Sequence, residues 1–170
     1  MNVLDAIRTK RAVRQFLHDP LPEEVMGAIL RAGRRAQSSK NSQPWRFIAV
    51  TRRETLEQLS KLGTYAGHLA GAALGVVILT PDPASRFSIM FDAGQTAAYM
   101  QLAAWEMGVG SCLATIFEPE PARALLGFPE EWHARIALSF GYPADPTALI
   151  RPPTGPGRQP LGELVHWERW

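Results

Sequence analysis

Residues 73–80, Ala-Leu-Gly-Val-Val-Ile-Leu-Thr, form one uninterrupted apolar run rich in β-branched side chains. Such a run marks a strand buried on both faces. The surrounding chain supplies elements to cover it. Residues 3–9 read as a short helix, and Asp19-Pro20-Leu21-Pro22 sets the start of a second, with Val25, Ile29, Ala32 and Ala36 at helical spacing. Trp45 to Thr51 reads as a strand, Arg53 to Leu62 as a helix, and Ser88 to Met107 as the longest helix, closed by Gly108. Ser111 to Ile116 is a further strand, Pro119 to Leu126 a helix capped by Gly127, and Ala134 to Phe140 a strand ended by Gly141-Tyr142-Pro143.

Four or five strands interleaved with helices predict an α+β domain. The long helix is apolar on most sides, which predicts that it crosses the core or forms a subunit interface. Residues 143–160 hold six of the fourteen prolines and predict an extended arm without packed secondary structure of its own. The arm leads to a final amphipathic turn, residues 160–167, of the kind that embraces a partner subunit. A chain of 170 residues suits one domain spanning 1–170.

The net charge of +2 conceals an uneven distribution. Residues 1–53 carry eleven Lys/Arg against four Asp/Glu, and residues 54–170 carry seven against twelve. The first third therefore favours an anionic partner. The basic patch is short and the remainder acidic, which argues against nucleic acid. The start of the chain lacks the apolar core of a signal peptide, and the longest apolar stretch, Leu69 to Thr80, is short of a membrane span. With a single cysteine, Cys112, the expectation is a cytoplasmic protein with no membrane partner. The histidines at 18, 68, 133 and 166 show no ligand spacing, so no metal site is expected. Cys112 reads as a core residue rather than a nucleophile.

Three segments carry candidate chemistry. The cluster at residues 8–14 offers guanidinium groups that pair bidentately with a phosphate. The alternative is a solvated charged face. The polar loop at residues 38–44 offers donors and acceptors for a heteroaromatic edge and a sugar chain, or is an ordinary loop before a strand. Gly108-Val109-Gly110-Ser111, followed by residues 112–116, has the small residues that let a planar ligand approach the main chain. Alternatively, Gly108 only caps the long helix.

Together these segments resemble one family. Lys10-Arg11-Ala12-Val13-Arg14-Gln15-Phe16 followed by Pro20-Leu21-Pro22 is similar to the opening of nitroreductases. Ser38-Ser39-Lys40-Asn41-Ser42-Gln43-Pro44-Trp45 resembles the family's Pro-Ser-x-x-Asn-x-Gln-Pro-Trp loop. Leu102-Ala103-Ala104, Met107 to Cys112, Leu126 to Pro129, Gly141-Tyr142-Pro143 and Arg158 to His166 follow in the family's order.

The resemblance implies a nitroreductase-like fold. Its central sheet is mixed, mostly antiparallel and flanked by helices, with a long central helix at a dimer interface. It also implies non-covalent FMN at the interface of a homodimer. Lys10, Arg11, Ala12, Arg14 and Arg158 would hold the ribityl phosphate. Ser38 and Ser39 would line the isoalloxazine, Asn41 would reach it from the other subunit, and the backbone of Ala114, Thr115 and Ile116 would lie near N5. The implied activity is ping-pong hydride transfer from NADH or NADPH through FMN to a nitroaromatic, quinone or similar flat acceptor, with no catalytic side chain assigned. Within the same fold the alternatives are dehydrogenation, dehalogenation, flavin breakdown, or flavin binding without turnover. The chain departs from the pattern at Lys10, where arginine is usual, at Ala12, where a hydroxyl normally meets the phosphate, and at Gln37, where proline is usual. It is also short for the family, which implies an open site and a broad acceptor range.

Overall fold

The strand read at residues 73–80 is β2 (Leu74–Thr80), buried at every position. The computed structural model, which describes residues 2–150 and 157–170, places β2 inside a four-stranded sheet. Its neighbours are β1 (Arg46–Val50) and β4 (His133–Gly141), and β3 (Gly110–Thr115) forms the far edge beside β4. All three pairings are antiparallel, and an isolated parallel bridge outside the strands joins Ala12 to Ser111.

Period-two alternation along the strands builds two cores. Val76, Ile78, Leu138 and Phe140 meet Ile29 of α2 (Glu23–Arg34) and Met100 and Ala104 of α4 (Ser88–Glu106). On the opposite face, Val77, Leu79 and Ala137 meet Leu56 and Leu59 of α3 (Arg53–Leu59) and Ala122 of α5 (Pro119–Leu126). A third, smaller cluster joins Ala6 of α1 (Val3–Thr9) to Val13, Phe16, Ala72 and Trp105.

The structure corrects two expectations, at the end of α3 and in the arm after Gly141. α3 stops at Leu59 rather than Leu62, because Lys61 and Leu62 donate to the carbonyls of Gln58 and Leu59 and tighten the last turn ahead of Gly63. The long helix, expected to cross the core or form a subunit interface, does pack one face on the core. Ile89, Ala93, Ala97 and Met100 face the core, while Met90, Phe91 and Tyr99 stay exposed. The arm after Gly141 is not without structure. Phe16 bridges Pro143, and Pro146–Leu149 form a 3-10 turn whose first amide, Thr147 N–H, donates to Asp145 Oδ1 at 2.9 Å. Residues 151–156 of that arm lie outside the described residues. The final turn is α6 (Leu161–Leu164), exposed along its length.

Candidate functional site

The basic segment follows the C-terminus of α1, whose dipole end repels an anion, so any attraction comes from the side chains. Lys10 closes α1 by donating its amide to Ala6 O at 2.9 Å, and Trp105 Nε1 donates to Thr9 Oγ1 at 3.0 Å. Val13 and Phe16 are buried, and the Val13 amide donates to Ser111 O at 2.9 Å. These anchors pin the segment to the outer edge of β3 and leave Ala12 and Arg14 exposed, with Lys10 and Arg11 half-buried.

Gly110 and Gly141, paired across β3 and β4, make that docking possible. A Cβ on Gly110 would lie 2.7 Å from Val13 Cβ, and one on Gly141 would lie 3.0 Å from Phe16. The small residues here therefore receive the chain's own basic segment, where the sequence suggests room for a ligand. Gly108, at φ +74°, is the left-handed residue that ends α4.

Burial pushes the Lys10 ammonium below its ordinary pKa, and only the nearby Cys112 thiol opposes this. Lys10 and Arg14 pair with no carboxylate among the described residues. Cys112 is buried, and burial raises its thiol above the usual range despite Arg14 and Lys10 beside it. At this edge the ladder alternates. Ile116 donates to Arg135 O at 3.0 Å, so Ile116 and Ala114 turn their peptide groups toward β4, and Thr115 turns its own outward.

The polar loop is anchored elsewhere. Ser38 Oγ accepts from the Gln43 amide at 2.9 Å, and Asn41 N donates to Ser38 O at 3.0 Å. Lys40, Asn41 and Gln43 all take left-handed φ values of 53°, 52° and 46°. Each such non-glycine residue costs on the order of 1 kcal/mol, held only where surroundings impose it. The Ser39 amide donates to both Oδ1 and Oδ2 of the buried Asp92, at 3.2 Å each. Ser38 and Ser39 are half-buried, and Asn41 is exposed. Arg158 is exposed and its link to a phosphate rests on the resemblance.

Beneath the basic segment lies a buried pair the sequence did not disclose. His68 Nδ1 and Ser139 Oγ are 2.7 Å apart, and Ser139 Oγ is 3.4 Å from Cys112 O. Burial, then the charge of Arg14, hold His68 below its ordinary pKa, with the Leu113 carbonyl opposing. The folded state thus binds fewer protons than the unfolded state as pH falls from about 6.5 toward the lowered value, and stability drops there. Thermal denaturation across this window is expected to show that acid-side loss, and His68→Asn to flatten it. An equal slope in the variant would refute the assignment.

These features define a three-layer α+β domain with a cationic segment laid along the edge of its sheet. The chain belongs to the nitroreductase family, whose model matches residues 7–64 and 62–142. It is 31% identical over 149 residues to an Archaeoglobus fulgidus protein whose name pairs NADH dehydrogenase with NAD(P)H nitroreductase, covering 84% of this chain and 86% of that protein. It is also similar to an FMN-dependent nitroreductase of Clostridium difficile R20291, with a TM-score of 0.83, 25% identity and coverage of 99% and 100%. A Bacteroides thetaiotaomicron protein, again named for NADH dehydrogenase and NAD(P)H nitroreductase, superposes with a TM-score of 0.84 at 27% identity, covering 98% and 97%. No helix among the described residues is long and apolar enough to cross a membrane.

Proposed function

We propose that this chain, as one domain over residues 1–170, is an NAD(P)H-dependent FMN oxidoreductase acting as a homodimer on nitroaromatics, quinones or similarly flat acceptors. The observation that carries the reading is Lys10, a desolvated ammonium with no carboxylate partner among the described residues, flanked by Arg11 and Arg14. An anion placed there would offset the cost of burying Lys10, and a phosphate suits the two guanidinium forks. The donor set therefore fits FMN, with Lys10, Arg11, Arg14 and the Ala12 backbone at its phosphate, joined by Arg158.

When bound, FMN would supply the hydride relay between a nicotinamide nucleotide and the acceptor. The protein's share is placement. Thr115, whose carbonyl lies so close to Gly63 that a Cβ there would sit 2.2 Å away, would meet the ring beside Ala114 and Ile116. Ser38, Ser39 and Asn41 form one hydrogen-bonded turn, so all three would reach the ring from the same copy, in place of the split between subunits that the resemblance implies for Asn41.

The separation of the two regions supports a dimer. Asp92, which holds the loop, and Trp105, which holds the end of α1, stand thirteen residues apart on α4. At 1.5 Å per residue that is about 20 Å along the helix. A ligand touching both regions is met most directly by one region from each of two copies. Exposed apolar side chains supply surface for such a contact, with Val3, Leu4 and Ile7 on α1, Met90, Phe91 and Tyr99 on α4, and Leu161, Leu164 and Trp167 at the end.

The test is an anaerobic titration. Protein reconstituted with FMN is expected to bleach on adding NADH or NADPH and to regain its colour with a nitroaromatic or quinone. Failure to retain FMN would overturn the reading. Retained flavin that neither nicotinamide bleaches would leave a binding module instead of an oxidoreductase.

A further inference from the structure

Asp92 is a carboxylate almost fully buried in an otherwise apolar stretch of α4. Burying a charge is costly unless it is paired and hydrogen-bonded. Here the side chain accepts the Ser39 amide on both oxygens and has Arg86 Nη2 at 3.9 Å. The same Nη2 donates to Ser42 Oγ at 2.8 Å. One buried acid thus holds the polar loop directly at Ser39 and through Arg86 at Ser42. Between those two points sit Lys40 and Asn41, in conformations that free chains avoid.

We propose that Asp92 is the positioning residue of the 38–43 loop, with Arg86 as its relay, fixing the left-handed turn that presents Ser38 and Asn41 to the cofactor. The mechanical half of this concerns the chain alone. The ligand half rests on the proposed FMN function. Asp92 touches no ligand itself and acts through the Ser39 amide.

Lys40 provides the readout, since it is exposed in the turn and a protease needs an extended strand around its target bond. In ligand-free protein, trypsin cleavage after Lys40, followed by mass spectrometry, is expected to be slow. Asp92→Ala is expected to accelerate it at least tenfold, with no matching rise at the exposed Lys61, which reports general loosening. Asp92→Asn, which keeps one acceptor for Ser39, should fall between, and Arg86→Ala should give a smaller rise because the Ser39 contact survives. If Asp92→Ala does not fold, the other two variants decide the matter.

FMN affinity, read by quenching of flavin fluorescence, should weaken in the order Arg86→Ala, Asp92→Asn, Asp92→Ala. Unchanged cleavage at Lys40, or equal rises at Lys40 and Lys61, would overturn the proposal. So would faster cleavage at Lys40 with FMN affinity unaltered. A wild-type protein that does not bind FMN would sink the functional reading while the cleavage comparison still judges the loop.

Discussion

The double replacement Arg11→Ala/Arg14→Ala is expected to weaken FMN binding roughly 100- to 10,000-fold, because hydrogen bonds to charged groups contribute about 1.5–3 kcal/mol each and every 1.4 kcal/mol is tenfold in affinity. Fluorescence titration at fixed ionic strength measures it. Thermal stability of ligand-free Arg14→Ala alone should change little, since Arg14 is exposed and the anchors of this segment are Val13 and Phe16. Riboflavin, which lacks the phosphate, should lose far less affinity than FMN. An equal loss for both ligands would move these arginines away from the phosphate. The reciprocal change is Ala12→Ser, at an exposed position whose backbone is already fixed against Ser111. It should tighten FMN by about fivefold, the value of one added hydrogen bond near 1 kcal/mol.

The parts of this protein set by local pattern were legible in its sequence. The apolar run at β2, the capped end of α4 at Gly108 and the turn at Gly127 follow from side-chain period and from glycine's access to positive φ. Family membership was legible as well, from motifs spread along the chain. What stayed hidden depends on pairs far apart in sequence. Asp92 and Ser39 are 53 residues apart, and His68 and Ser139 are 71. Neither spacing repeats, so neither leaves a pattern. Asp92, an acid set among Ile89, Met90, Phe91 and Ala93 in the first turns of α4, was the one local clue to the first pair. The left-handed turn at Lys40 and Gln43 was equally hidden, because those residue types reach positive φ only when tertiary bonds impose it. α4 reads as buried on most sides because an apolar surface covered by a second subunit and one covered by the chain's own core have the same composition.

Gly110 is the residue whose sequence reading changed most, and the change yields the second large prediction. An alanine at this position is sterically allowed by its own backbone, which is not in the left-handed region. The obstacle is its neighbour. The new Cβ would lie 2.7 Å from Val13 Cβ and within 2.9 Å of both Val13 methyl carbons. Valine branches at Cβ and holds one preferred rotamer, so rotation cannot clear the contact. The basic segment must lift from β3 instead, breaking the 2.9 Å bond from Val13 N to Ser111 O. Overpacking costs about 1–3 kcal/mol and the lost hydrogen bond about 1 kcal/mol. For a chain of this size that corresponds to a fall in Tm of roughly 5–15 °C. FMN affinity should fall with it, because Lys10, Arg11 and Arg14 are carried on the displaced segment. Val13→Ala in the Gly110→Ala background should rescue little, since the offending Cβ remains, whereas Val13→Gly should restore the docking of the segment. Calorimetry together with FMN titration on the four proteins separates the two effects. Full rescue by Val13→Ala would show that the methyl groups, and not the approach of the two backbones, set the fit between the cationic segment and the sheet edge.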